Sequence, residues 1–143
     1  MADSHPILVI STNPADRFQL REAFSNYGIV SRHLYTEVDS VVANYLDNFL
    51  EHFLAPPKLV LLNLDIAYQA SLSILACIKQ HPLTQTVPVI TYGQHSAQTV
   101  VKLAYEQGAS AYLVKPANWS VLVSTILNNW GHWSLLPGVQ TLN

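Results

Sequence analysis

The chain has 143 residues, of which 50% are hydrophobic and 11% are charged, and its formal net charge is −2. This composition excludes a disordered chain and fits one domain with a real core. The seven Lys and Arg residues are scattered singly along the sequence, which argues against nucleic-acid binding. There is no signal-like N-terminus and no apolar run of roughly 18 residues, as a membrane span requires. The lone cysteine, Cys77, is expected to be a small buried side chain. Because a single cysteine cannot form an intramolecular disulfide, the chain is predicted to be cytoplasmic.

The first strand and helix are predicted from their boundary residues. Residues 7–10 form an apolar run that predicts a strand. Asn13 followed by Pro14 predicts the start of a helix, with Asn13 as the N-cap and Pro14 at the first helical position. Asp16 falls in the first turn, where the helix dipole favours an acid. Gly28 is expected to end the helix shortly after residue 27.

The rest of the chain repeats the alternation of strand and helix four times. The segment before the third strand, Ala55-Pro56-Pro57, is a clear break. The further predicted strands cover residues 29–36, 59–63, 87–92 and 109–114, and the further helices cover residues 38–53, 70–79, 96–105 and 119–130. Five strand–helix units in this order predict an α/β fold, a parallel sheet with right-handed crossovers and helices on both faces. We expect one domain over residues 1–131, and a C-terminal tail over 132–143 that packs on the domain or on a partner.

The third strand is expected to be central, because residues 59–62 are four large apolar side chains with no polar face. In an open α/β sheet the functional site lies at the carboxyl ends of the central strands. That edge is predicted to gather polar or small residues from four strand ends. They are Ser11, Thr12, Asn63, Asp65, Gly93 and Lys115.

These strand ends carry a resemblance to a known family. Residues 59–65 resemble the strand that bears the phosphorylated aspartate of response regulator receiver domains, and residues 108–116 match the closing motif of that family. Residues 13–16 and 81–84 resemble stand-alone receivers associated with bacterial phytochromes. The resemblance covers roughly residues 6–130. It implies a flavodoxin-like, three-layer fold with five parallel strands in the order 2-1-3-4-5.

The resemblance also implies a pocket that this chain has largely lost. In the family an acidic pair holds Mg²⁺, and here Ser11 and Thr12 stand at those positions. Asn63 stands at the acceptor aspartate, and an amide cannot form an acyl phosphate. Gly93 stands where a hydroxyl would bind phosphoryl oxygens, and Lys115 alone is kept. Since Mg²⁺ needs anionic oxygen ligands, the metal site is predicted to be lost and no cofactor is expected.

Three further assignments depend on the same alignment. If the third strand ran two residues longer, Asp65 would be the acceptor, whereas the end of the apolar run favours Asn63. Tyr112 falls at the position of a switch aromatic and is expected to be fixed at the surface or in an interface. Lys115 is expected to hold the pocket closed as a hydrogen-bond donor, and its peptide bond to Pro116 resembles a bond that is cis in the family.

These observations predict a phosphorylation-independent receiver, a non-enzymatic protein-interaction module of bacterial two-component signalling. Its expected partner is a signalling protein, and a homodimer could form through the fourth helix, fifth strand and fifth helix. No nucleic-acid or membrane partner is expected. One alternative is a response regulator phosphorylated on Asp65. Another is a small flavodoxin-like ligand-binding protein, although the loop over residues 11–13 lacks the glycine typical of phosphate loops.

Overall fold

Five short parallel strands form one sheet in the order β2-β1-β3-β4-β5, with helices on both faces, as predicted. The computed structural model describes residues 7–29, 31–36, 38–51, 57–64, 68–94, 98–114 and 119–128. The strands are β1 (Ile7–Ile10), β2 (Ser31–Leu34), β3 (Leu59–Asn63), β4 (Val89–Gly93) and β5 (Ala111–Val114). The helices are α1 (Pro14–Ser25), α2 (Asp39–Glu51), α3 (Tyr68–Gln80), α4 (Gln98–Glu106) and α5 (Trp119–Asn128).

The core has two halves because successive side chains of a strand point to opposite faces of the sheet. β3 pairs with β1 on one side and β4 on the other, and it is buried along its whole length. Leu59 and Leu61 pack with α1 and α5, whereas Val60 and Leu62 pack with α2, α3 and α4. The four-residue apolar run is therefore explained by burial on both faces, as expected for a central parallel strand.

The N-cap of α1 is confirmed. The Asn13 side-chain oxygen accepts hydrogen bonds from the backbone N–H groups of Ala15 and Asp16, at 2.9 and 3.2 Å. The regular helix ends at Ser25, about two residues before the predicted end, and the turn that follows contains Gly28 in the left-handed region with φ +74°. The cap positions the start of α1 directly over the end of β1.

The turn before β5 depends on Gly108, which has φ +106°. A Cβ atom at this position would lie 3.0 Å from Cγ of Lys79. The Lys79 ammonium in turn donates to the carbonyl of Val87 at 3.0 Å, and burial lowers the pKa of Lys79. The lysine thereby links the end of α3 to the segment that leads into β4.

The strand β4 starts at Val89, two residues later than predicted, directly after Pro88.

His81 lies in the turn that follows α3, and its ring has a defined hydrogen-bond pattern. The ring nitrogen Nδ1 accepts from the backbone N–H of Leu83 at 3.1 Å, so Nε2 carries the proton of the neutral ring and donates to Asp47 at 2.8 Å. This bond ties the α3–β4 turn to α2.

Nearby, Cys77 is only partly buried, with its sulfur 3.7 Å from the carbonyl oxygen of Asp39. Burial raises the pKa of the Cys77 thiol, so the reactive thiolate is disfavoured.

Several expectations concern residues that the structure does not describe. The tail over residues 132–143 and the Lys115–Pro116 peptide bond lie outside the described ranges. Among the helices of the described ranges, none combines the length and the apolar character needed to cross a bilayer.

β2 is the edge strand, as predicted, and its polar side chains alternate between the two faces. Its register with β1 places His33 opposite Val9, on the face covered by α1. The His33 Nε2 atom lies 2.8 Å from Ser31 Oγ, whereas the buried Nδ1 atom has no hydrogen-bond partner among the described residues. Burial, reinforced by the positive charges of Arg21 and Arg17, lowers the pKa of His33 to about 4.

His33 should make the protein less stable in mild acid. A histidine that stays neutral in the folded state takes up a proton on unfolding, so stability is lost as the pH falls from about 6.5 towards 4. Because the side chain is only half-buried, solvent screening limits the effect to about 1 kcal/mol. Denaturant unfolding at pH 7 and pH 5 should show a smaller loss in His33→Gln than in the wild type. Equal losses in the two proteins would contradict this assignment.

Candidate functional site

The candidate site is centred on Asn63, the last residue of β3. The strand ends there and not two residues later, since Leu64 is already outside the strand. Asn63 follows Leu59 and Leu61 in the strand alternation, so its side chain lies on the α1 and α5 side of the sheet. It is buried, and its backbone carbonyl accepts a hydrogen bond from the Ser71 hydroxyl at 2.9 Å. Both the backbone and the side chain of Asn63 are thus held by neighbouring elements.

Three oxygen atoms surround the side-chain amide nitrogen of Asn63. The amide donates to the Asp16 carboxylate at 3.1 Å, to the Tyr92 hydroxyl at 3.3 Å and, more weakly, to the Ser11 hydroxyl at 3.5 Å. A carboxylate accepts hydrogen bonds and donates none, so the amide nitrogen rather than its oxygen must face Asp16. The arrangement suits an amide at this position.

Asp16 was not expected in the site, because its place in the first turn of α1 was explained by the helix dipole. It is only 3% exposed and lies on the buried stripe of α1 with Leu20, Ala23 and Phe24. The spacing of these residues, four, seven and eight after Asp16, is that of one helix face. That spacing was the available signal, since an acid on an apolar stripe needs a polar partner in the interior.

Tyr92 is the second residue that the sequence reasoning missed. It lies in β4 directly opposite Asn63 in the strand register and is fully buried. The indole of Trp119, at the start of α5, contacts the Tyr92 ring edge-on, with centroids 5.7 Å apart and planes at 87°. This contact is a favoured aromatic geometry, and it fixes the ring whose hydroxyl reaches Asn63.

Comparisons with known proteins agree with this fold. No family model matches the chain. The probable methanogenesis regulatory protein FilR2 of Methanothrix harundinacea (strain 6Ac) is 24% identical over 139 residues, which cover 95% of this chain and 90% of that protein. Among solved structures, the phosphorylated cyanobacterial phytochrome response regulator RcpA is 24% identical, with a TM-score of 0.68 and coverage of 92% of this chain and 95% of that chain. A response regulator in red light signaling of R. palustris gives 24% identity, a TM-score of 0.67 and coverage of 90% and 93%.

The chain has the receiver-domain fold. In this fold the predicted pocket residues are only partly brought together. Ser11 and Asn63 meet, and the Ser11 hydroxyl also accepts the backbone N–H of Asn13 at 3.1 Å. Thr12 lines a cavity of about 10 Å³ beside Asn63, about the volume that one water requires. Asp65 and Lys115 lie outside the described residues of the receiver fold.

The opposite face of the receiver sheet carries the positions expected for the hydroxyl and the switch aromatic. Gly93 is the buried last residue of β4. Two residues earlier, the buried Thr91 hydroxyl donates to the carbonyl of Ala111 at 2.8 Å. Tyr112 is half-buried against the α3 and α4 side of the core, and its backbone N–H donates to the Tyr105 hydroxyl at 3.2 Å. The hydroxyls of Thr91 and Tyr105 thus both bond to the backbone of β5.

Replacing the amide of Asn63 by a carboxylate should destabilise the protein. In Asn63→Asp two buried carboxylates would face each other where an amide now donates, and the expected loss is about 1–3 kcal/mol at pH 7. The deficit should shrink in acid, because a shared proton turns one carboxyl into a donor. Denaturant unfolding at pH 7 and pH 5 measures both effects.

The matched control is the exchanged pair Asp16→Asn with Asn63→Asp, which restores one amide and one carboxylate. It should recover most of the stability that Asn63→Asp loses. If the double variant were no more stable than the single variant, the contact between Asp16 and Asn63 would not be the cause of the loss.

Proposed function

We propose that this protein is a single-domain response regulator of two-component signalling that acts without phosphorylation, as a protein-interaction module. The observation that carries the proposal is the fit of the Asn63 amide between Asp16, Tyr92 and Ser11. Each of these oxygens can accept from the amide. The buried environment is therefore matched to asparagine rather than to an acceptor aspartate.

The chemistry of the pocket supports this proposal. A neutral amide is a poor nucleophile and does not form the acyl phosphate that phosphoryl transfer to a receiver requires. Mg²⁺ prefers several anionic oxygen ligands in near-octahedral geometry. Among the described pocket residues the single carboxylate, Asp16, already accepts from Asn63, while Ser11 and Thr12 are neutral. The described residues of the pocket therefore do not fit a Mg²⁺ site.

The small volume of the described pocket also supports a role without phosphorylation. The cavity that the described residues form beside Asn63 measures about 10 Å³, which is room for about one water. The Tyr92 side chain occupies space on the other side of the amide, and Trp119 holds it there.

We extend the proposal to the remaining pocket positions by resemblance. Lys115 would donate to Asn63 or Asp65 and fix the loop, Asp65 would be a loop acid, and Tyr112 would keep one conformation. The protein would be a non-enzymatic cytoplasmic module without a cofactor, with residues 1–131 as its domain.

A second copy of the chain is one candidate partner. Val114 at the end of β5 and Val121 in α5 are 55% and 57% exposed. Exposed apolar side chains of this size can contribute to a binding surface. We propose that self-association uses the face formed by α4, β5 and α5.

This dimer can be tested by sizing. If the face is an interface, replacing both valines in Val114→Glu with Val121→Glu should shift the protein to a monomer in light scattering, because two buried charges would meet their copies. Phe18→Glu, which changes an exposed apolar side chain in α1, is the control and should leave the mass unchanged. A wild-type protein that is monomeric at high concentration would contradict the proposed dimer.

The absence of phosphorylation can be tested directly. Incubation with Mg²⁺ and acetyl phosphate, followed by intact-mass measurement, should show no phosphoryl adduct on the wild type or on Asn63→Asp, because Ser11 and Thr12 still provide no anionic ligand. A receiver that retains its acidic pair and its acceptor aspartate is the positive control. A stable adduct on Asp65 would favour the phosphorylatable alternative, and labelling of Asn63→Asp would show that the pocket binds Mg²⁺ after all.

A further inference from the structure

All three arginines of this chain, Arg17, Arg21 and Arg32, belong to the elements at the β2 edge of the sheet, with Arg32 on the face opposite to α1. Arg17 and Arg21 are one turn apart on α1, and Arg32 is in the edge strand β2. The whole chain has a net charge of −2 and only seven Lys and Arg residues. The concentration of arginine at this edge therefore creates a local positive field on a chain that is otherwise slightly acidic.

On the α1 side of this edge, the contacts of Arg17 and Arg21 are with aromatic and imidazole rings. Arg17 stacks on the half-exposed Tyr35 ring, with its guanidinium carbon 5.3 Å from the ring centroid. Arg17 and Arg21 both act electrostatically on His33, which stays neutral near pH 7. Among the described residues, neither Arg17 nor Arg21 lies within 4.0 Å of a carboxylate. The two guanidiniums are thus available to a carboxylate from outside.

The edge strand supplies a second element of recognition. In the described sheet, β2 pairs only with β1, so one side of its backbone faces outward. An extended segment can add to such an edge through main-chain hydrogen bonds, with alternate side chains on each face. On the α1 face, the side chains of the added segment would lie next to Ser31 and His33 and reach Arg17 and Arg21. Arginine binds carboxylates in a bidentate, oriented manner that lysine does not match.

We propose that the face made by α1 and β2 binds an extended acidic segment of a protein partner, which lies along β2 with its carboxylates on Arg17 and Arg21. The positive edge would reject basic strands and so select an acidic one. This inference rests on the proposed role as an interaction module, of which it names one partner class. It does not depend on whether the domain is phosphorylated, so the two proposals can fail separately.

A model ligand tests the proposal on the full chain. The probe is a fluorescein-labelled octapeptide of alternating valine and glutamate, measured by fluorescence anisotropy at low ionic strength. Arg17→Gln with Arg21→Gln should weaken binding about tenfold or more, as the loss of two charge-assisted contacts implies. The matched control Lys58→Gln with Lys102→Gln removes the same charge from exposed side chains elsewhere and should change affinity less than about twofold.

The remaining outcomes decide the proposal. A peptide with glutamine in place of glutamate should bind at least about tenfold more weakly, and the acidic peptide should slow amide hydrogen exchange in β2. If both double variants weakened peptide binding equally, the net charge of the protein would explain the loss of affinity, and the proposal would be overturned. It would also be overturned if the acidic peptide failed to bind at millimolar concentration. Tighter binding to a duplex oligonucleotide, or to vesicles of anionic lipid, would replace it with another class of partner.

Discussion

The buried carboxylate of Asp16 constrains the end of the sheet more than any other group. A carboxylate with 3% exposure must receive hydrogen bonds from the protein, and the side-chain donor identified is the Asn63 amide. That requirement favours a hydrogen-bond donor at the end of β3. It also brings the Tyr92 hydroxyl and the Ser11 hydroxyl into the same cluster, since the amide has two hydrogens to share. The local chemistry of the pocket thus follows from one acid on the inner face of α1.

The alternation of side chains in the strands keeps two halves of the domain apart. The cluster around Asn63 lies between the sheet and α1 with α5, whereas Thr91 and Tyr112 lie on the side of α3 and α4. Adjacent residues of one strand therefore contribute to different cores. A change confined to the Asn63 side has to pass through the strand backbone before it reaches α3 and α4.

Much of the fold was predictable because it depends on local patterns. The run over residues 59–62 has no polar face, so burial on both sides was its natural explanation, and Asn13 with Pro14 fixes the start of α1 through backbone geometry alone. Boundaries set by tertiary contacts were less certain, as the later start of β4 after Pro88 shows. The position of Asn63 at the strand end was also predictable from where the apolar run stops.

The partners of Asn63 were not predictable with the same ease. The position of Asp16 was already explained by the preference for an acid in the first turn of a helix. There was thus no reason to expect its tertiary contact with Asn63. Tyr92 could be placed opposite Asn63 only once the register of β3 and β4 was known, because a buried strand gives no periodic signal of which residue faces which helix. Both omissions concern interactions between elements distant in sequence.

The contact between Trp119 and Tyr92 has an evolutionary consequence. It fixes the phenol that accepts from the Asn63 amide, so the three side chains form a set linked through Tyr92. If the ancestor carried an aspartate at the end of β3, a return to it by one substitution would place two buried carboxylates opposite each other. Such mutual dependence makes the change directional. Once the set is complete, drift among close relatives should preserve or vary the residues together rather than one at a time.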